Sequence, residues 1–361
     1  MNPLNRCYVT IFCFLILAGS RSDVTAAPFV PERNAQCVAI SHDGRFIATG
    51  KSGMSNSEFP PRPHPTVRKC GLIQLWDAQT GQMLRRMQTF GDFTQLQFSR
   101  DDTYLISCRL YSPGGGLEMS EVRIWDVASG KSLHRFNRCH GFALSPRGSS
   151  LIVLSRSKCV RYDLGKFSKQ QQFDALGGAV AINFTPTADA IAGIVVTENG
   201  FVVRLCDTES GNLLVESSPL DTPFYCLAIS PDQRHFATGH DGGLVLVWDL
   251  ETLRPVQKLA TTDRGRQHPF FSPNGELLGA GSQRNGDVEF FDLIRGQKLQ
   301  RLTFQRGSFK TYHPRGEEEL FRPESDPGRF LFLADGSTFL TGCFGGMIRT
   351  VSGQEVRRFS Y

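Results

Sequence analysis

The chain has 361 residues, of which 40% are hydrophobic and 21% charged, with a formal net charge of +5. That apolar fraction excludes a disordered chain, and the mild positive charge comes with no Lys/Arg block or basic–aromatic interleaving, which argues against nucleic acid as a partner. With 36 Gly, 19 Pro and 28 Phe, the composition fits many short strands divided by turns, and large all-β repeats of this length run as one unit.

Asn2 to Arg6 is polar with one positive charge, Cys7 to Gly19 is mostly apolar, and Ala18-Gly19-Ser20 supplies small residues. This pattern predicts a cleavable export signal over residues 1–20, with cleavage as late as residue 27. The apolar run is too short to cross about 30 Å of hydrocarbon as a helix. The plainer alternatives are a buried amino-terminal strand or a signal anchor. No cysteine follows Leu17-Ala18-Gly19, so release is expected and not lipid anchoring. The predicted location is therefore periplasmic, cell-envelope or secreted, with residues 21–34 a linker or a closing segment. Cys37, Cys70, Cys108, Cys139, Cys159, Cys206, Cys226 and Cys343 remain after cleavage, and no two form a CxxC pair. Buried free thiols are expected at Cys37, Cys206 and Cys226, and a disulfide among the others stays open.

From residue 35 onward the chain repeats. Phe224 to Val256 is the clearest unit. Phe224 to Ile229 reads as a strand stopped by Ser230-Pro231-Asp232, His235 to Thr238 as a second, Leu244 to Trp248 as a third and Val256 to Leu259 as a fourth. Four antiparallel strands bury their faces only when copies stack beside them. Trp76-Asp77, Trp125-Asp126, Tyr162-Asp163, Cys206-Asp207, Trp248-Asp249 and Phe291-Asp292 mark the copies at the end of each third strand. They recur at about 40 residues, the length of one propeller blade. The turn after each first strand gives an independent ladder, as in Ser41-His42-Asp43-Gly44, Ser230-Pro231-Asp232-Gln233 and Ser272-Pro273-Asn274-Gly275. With Leu333-Ala334-Asp335-Gly336 the units number seven, beginning near Cys37, Thr94, Gly141, Val180, Cys226, His268 and Phe330.

These residues resemble the WD-repeat family of β-propellers over roughly residues 35–361. The resemblance implies an all-β fold, a single seven-bladed propeller of four-stranded antiparallel blades, acting as a protein-interaction scaffold. The chain departs from the family pattern in lacking its Gly-His pair, as at Gly91-Asp92 and Asn137-Arg138. The side-chain network from that histidine to the tryptophan and an aspartate is therefore not expected.

Three connections are long: Lys51 to Cys70, Arg109 to Ser120, and Gln305 to Gly328. The first two join second to third strands in blades 1 and 2; the last joins blade 6 to blade 7. Strand alternation brings all three out on one face, and insertions on one face of a repeat protein build binding surfaces. Arg62, His64, Arg68, Tyr111, Phe309, Tyr312, His313, Arg315 and Arg322 are the expected contacts for a partner protein. Tolerated surface insertion is the competing reading, because lengthening a loop costs little entropy. Glu317-Glu318-Glu319 reads as a solvated charge run.

The sequence carries no Gly-x-Ser-x-Gly, no His-Glu-x-x-His and no calcium-loop pattern. His140 beside Cys139 is the one pair suited to a metal, and a histidine satisfied by hydrogen bonds accounts for it more simply. No catalytic residue, metal or cofactor is expected, and a non-catalytic, monomeric exported scaffold is the leading reading. The alternatives are a propeller enzyme of the quinoprotein or lactonase kind, or an envelope glycan-binding module. Against the enzyme, the first strands offer few ligands.

Overall fold

The computed structural model describes residues 10–11, 35–54 and 70–302 apart from 79, 81, 91, 112–118 and 283–286. Beyond residue 302 it describes the backbone of strands at 310–312, 318–320, 330–332, 338–341, 347–350 and 355–358. The described chain folds as antiparallel meanders in sequence order: six four-stranded sheets and a seventh of the same plan with a fifth strand added.

Sheet 1 runs Ala35–Ile40, Phe46–Met54, Cys70–Asp77 and Met83–Phe90. Sheet 2 runs Asp92–Phe98, Tyr104–Tyr111, Met119–Asp126 and Ser132–Asn137. The outer strands of sheets 3 and 4 are Lys169–Gln172 and Leu213–Glu216. Sheet 5 runs Phe224–Ile229, His235–His240, Leu244–Asp249 and Pro255–Ala260, within two residues of the predicted strands. Sheet 6 runs Gln267–Phe271, Leu277–Ser282, Val288–Asp292 and Gln297–Leu302. Sheet 7 ends on Glu355–Arg358, a fourth strand of its own. The connection from sheet 6 to sheet 7 carries a small ladder in which Lys310–Tyr312 pairs with Glu318–Leu320.

One difference concerns the amino terminus. Thr10–Ile11 adds in parallel to Phe224–Ile229, pairing Thr10 with Cys226. To that extent the segment read as standing outside the fold touches it, and cleavage there would leave that edge of sheet 5 unpaired.

The apolar residues explain why the sheets stand side by side. Ile73, Leu75 and Met87 of sheet 1 pack with Leu96, Phe98 and Trp125 of sheet 2 in one buried cluster. Another joins sheets 2 and 3, a larger one spans sheets 3 to 5, and a fourth joins sheets 5 and 6. Each fully buried Phe or Leu in these seams contributes about 1.5–3 kcal/mol.

Turns then sew the seams along one face. In sheets 1 to 6 the aspartate closing the third strand accepts a backbone N–H three residues on, from Thr80, Ser129, Lys166, Ser210, Thr252 and Arg295. This Asx geometry explains why Asp recurs there. It also presents a turn residue with positive φ at Gly130, Phe167, Gly211, Leu253 and Gly296. The third residue of the preceding sheet's outer strand meets that turn. Arg85 Nε donates to Ala128 O at 2.7 Å, and Gln171 Nε2 to Ser210 O at 3.2 Å. His134 stacks on Phe167 at 5.2 Å, and Val215 packs in the cluster that holds Leu253. Where the turn residue is Gly the gripping side chain is long and polar; where it is Phe or Leu the gripper is a ring or an apolar group.

The turns after the first strands sit at the same end and link as well. Asp102 Oδ1 and Oδ2 accept from the backbone N–H groups of His42 and Asp43, at 2.7 and 2.9 Å. Arg147 pairs with Asp189 of the next sheet, with both side chains more than half exposed. Such a pair contributes about 0–1 kcal/mol, so the apolar clusters carry the seams and the ion pairs set their register.

A methyl group at Gly211 would stand 2.5 Å from Gln171 Nε2 and 3.1 Å from Gln172 O, whereas at Gly44 it would meet nothing within 4 Å. Both residues have positive φ. Gly44→Ala should therefore cost only backbone strain, about 1 kcal/mol, and Gly211→Ala about 1–3 kcal/mol more. Urea unfolding midpoints of the two variants measure the difference; equal midpoints would remove the seam from the explanation.

Candidate functional site

Arg62, His64, Arg68, Phe309, His313, Arg315 and Arg322 lie outside the described residues. Tyr111 closes the second strand of sheet 2, paired with Met119, and Tyr312 pairs with Glu318 in the small ladder. The side chains of both tyrosines are outside the described residues. The described geometry does not bring the nine together. It does show the strand ends from which the loops leave, and at the sheet 2 end lies a charged cluster that the sequence reading missed.

Glu121 begins the described part of that cluster. It stands near the start of the third strand of sheet 2, its side chain 6% exposed. Arg109 Nη2 reaches its Oε2 at 2.8 Å, Arg123 Nη2 its Oε1 at 2.6 Å, and Arg135 Nε its Oε2 at 3.9 Å. Alternation along the strand puts Glu121, Arg123 and Trp125 on the side that faces sheet 1, and Arg123 lies over the Trp125 ring at 5.0 Å. Trp125 Nε1 in turn donates to Ser107 Oγ at 2.9 Å. Burial lowers the basicity of Arg123; Glu121 opposes this, and Arg109 and Arg135 reinforce it.

Sheet 6 repeats the positions with another charge pattern. Asp287, Glu289 and Phe291 stand where sheet 2 has Glu121, Arg123 and Trp125. Glu289 pairs across the sheet with Arg301, where Arg123 pairs with Arg135. Arg301 Nη2 holds Asp287 at 2.6 Å, and Lys298 Nζ holds Glu289 at 2.5 Å. Two acids meet two bases in sheet 6; in sheet 2, arginine faces arginine. The signal was legible as Arg-x-Trp-Asp against Glu-x-Phe-Asp, had the third strands been compared for charge as well as for their markers.

The three ladder tryptophans are buried, and each indole N–H is bonded within its own sheet. Trp76 donates to Thr49 Oγ1 at 3.0 Å, Trp125 to Ser107, and Trp248 to Thr238 Oγ1 at 2.8 Å. In sheet 5 the chain extends further, because His240 Nε2 lies 2.9 Å from Thr238 Oγ1. Thr238 Oγ1 accepts from the indole and shares its other hydrogen bond with His240 Nε2. In sheet 5 the tryptophan is thus tied to a threonine and a histidine that both come from the second strand. His240 is the buried end of that strand.

His140 has Nε2 3.1 Å from Ala179 O, which satisfies it without a metal. Cys37, Cys108, Cys139, Cys159, Cys206 and Cys226 are buried. Burial pushes the thiol of Cys139 up to about 12 and that of Cys206 up to about 11, so neither is a nucleophile at neutral pH. Among the described residues no group of three His, Cys, Asp or Glu is placed to hold a metal ion, and no helix is long and apolar enough to cross a membrane.

Successive four-stranded meanders packed side by side define the β-propeller class of repeat protein. Comparison with known proteins agrees: residues 217–249 match the family described as WD domain, G-beta repeat. The chain is 25% identical over 311 residues to WD repeat and SOCS box-containing protein 1 of Danio rerio, covering 77% of this chain and 66% of that protein. It is 24% identical to the Homo sapiens protein of the same name, with the same shares covered. Protein ROOT INITIATION DEFECTIVE 3 of Arabidopsis thaliana is 26% identical over 231 residues, covering 55% of this chain and 48% of that protein. The chain thus spans about two thirds of the first two relatives and about half of the third. Residues 217–249 carry that repeat, and the chain as a whole is similar to WD-repeat proteins.

Burial brings His240 down to about 4, with Asp241 opposing the shift. A histidine whose folded pKa is depressed stabilises the fold above its unfolded value of about 6.5, and that contribution is lost as pH falls towards 4. The loss should reach about 3 kcal/mol. His240→Gln should flatten the pH dependence of the thermal midpoint between pH 6.5 and 4; an unchanged slope would assign the titration elsewhere.

Proposed function

We propose that the sheets close into one ring, a seven-bladed propeller over residues 35–361, and that it serves as a non-catalytic, monomeric, exported scaffold. It holds another protein through the face where the insertions of blades 7, 1 and 2 emerge. The observation that carries this reading is the division of labour between the two faces. The first-strand and third-strand turns interlock from sheet to sheet at one end. The long connections leave from the other end, after Phe46–Met54, after Tyr104–Tyr111 and after Gln297–Leu302. Lengthening the connections at that second end costs little entropy, and loops on a rigid scaffold are where recognition is built.

The names of the relatives, as WD-repeat proteins, support interaction over catalysis. Release from the cell interior rests on the signal pattern of residues 1–20. A pull-down with the mature chain from the exported fraction should lose its partner when residues 51–70 and 305–328 are both shortened, with the thermal midpoint unchanged. Retention of the partner by the trimmed chain would move the interface to another face. Elemental analysis and an absorbance spectrum of the purified protein should show neither stoichiometric metal nor quinone. A stoichiometric amount of either would restore the enzyme reading.

A further inference from the structure

We infer that the arginine cluster between sheets 1 and 2 is a carboxylate-binding site, which takes an Asp or Glu side chain from an acidic segment of the partner. The inference rests on the scaffold reading above and names the chemistry of what that scaffold holds.

The argument is one of charge left over. Glu121 has one negative charge to share among Arg109, Arg123 and Arg135. Arg109 makes further contacts of its own. With Arg109 set aside, Arg123 and Arg135 share a single carboxylate among the described residues, and they face each other directly across the sheet. Like charges opposed in that way destabilise a sheet, and Arg123, 15% exposed, is also largely out of water.

The fold shows in sheet 6 how this position is neutralised. There Glu289 replaces the arginine of the third strand, so the cross-strand pair becomes Glu289 with Arg301 and the charges balance. Sheet 2 has the arginine instead, and a second carboxylate supplied from outside completes the pattern that sheet 6 completes from within. Guanidinium groups suit this because each presents a planar fork of donors to a carboxylate.

Access and location agree. Arg135 is 55% exposed, so the group opens to solvent through it while Glu121 closes the inner side. Arg109 and Glu121 lie at the end of sheet 2 where the connection of residues 112–118 leaves, on the insertion face. On the sheet 1 side, Thr89 follows Arg85 and Met87 by alternation, and its buried hydroxyl has no hydrogen-bond partner among the described residues.

The test is fluorescence anisotropy of the mature chain with a fluorescein-labelled decaglutamate peptide at low salt. Binding should weaken about tenfold or more in Arg123→Gln and in Arg135→Gln, and be lost in Arg123→Glu, which gives sheet 2 the charge pattern of sheet 6. Arg123→Glu should keep or raise the thermal midpoint, and Arg135→Gln, at a half-exposed position, guards against a folding defect at Arg123. Arg254→Glu, an exposed residue of sheet 5 with the same change in net charge, should leave binding within about twofold. No binding by the parent chain, an equal loss in Arg254→Glu, or tighter binding of a ten-nucleotide oligothymidylate than of the peptide would each overturn the proposal. Trimming the long loops separates the two readings. If it abolishes partner capture while the peptide still binds, both stand. If capture survives trimming, the loop reading falls and the arginine variants judge the carboxylate site alone.

Discussion

Burial of each sheet against the next is the constraint on which the molecule depends. A four-stranded meander has two apolar faces and too little chain to cover either, so Trp125 of sheet 2 is buried only because Ile73, Leu75 and Met87 of sheet 1 lie against it. Every other regularity follows from that dependence. Phe236 and Trp248 stack at 5.5 Å within sheet 5 to present one smooth side to sheet 4. The indole N–H would be stranded in such a seam, so each second strand supplies a hydroxyl to receive it, from Thr49, Ser107 or Thr238. The turn aspartates keep the strand ends in step, so that one seam lines up with the next.

Much of this order was visible in the residues themselves. Tryptophan followed by aspartate could be read because both side chains serve local needs: the ring fills a seam and the carboxylate caps a turn within three residues. Strand limits in sheet 5 were legible for the same reason, since Ser230-Pro231-Asp232 and Gly242-Gly243 stop the chain by backbone preference alone. The grip of Arg85 on the Ala128 carbonyl was not legible, because its partner lies 43 residues on and a carbonyl leaves no trace in sequence. Nor was the burial of His240, which reads as a polar turn residue until the strand is seen to continue through it to the seam.

The candidate surface was legible only by its place. Strand alternation assigns the long connections to one face without reference to any side chain. Which of their residues act depends on how the loops pack, a non-local matter on which composition is silent. The charge imbalance in sheet 2 belongs to the same class. It is a relation between Arg123 and Arg135 on paired strands, and it stands out only beside its balanced counterpart in sheet 6.

The turn residues with positive φ bear on how such a chain is recombined or diverges. Phe167 and Leu253 hold at φ 56° and 50° a conformation that Gly130, Gly211 and Gly296 adopt freely. His134 of the preceding sheet stacks on Phe167, and Leu253 lies in the apolar cluster against which Val215 of the preceding sheet packs. A single sheet moved to a new position would carry its turn to a gripper of the wrong kind, a phenylalanine under an arginine or a bare glycine under a valine. The heritable module is then not the sheet but the joint, half of one sheet with half of the next. Duplications or swaps cut through the middle of a sheet would preserve every match, while cuts at the loops between sheets would break two.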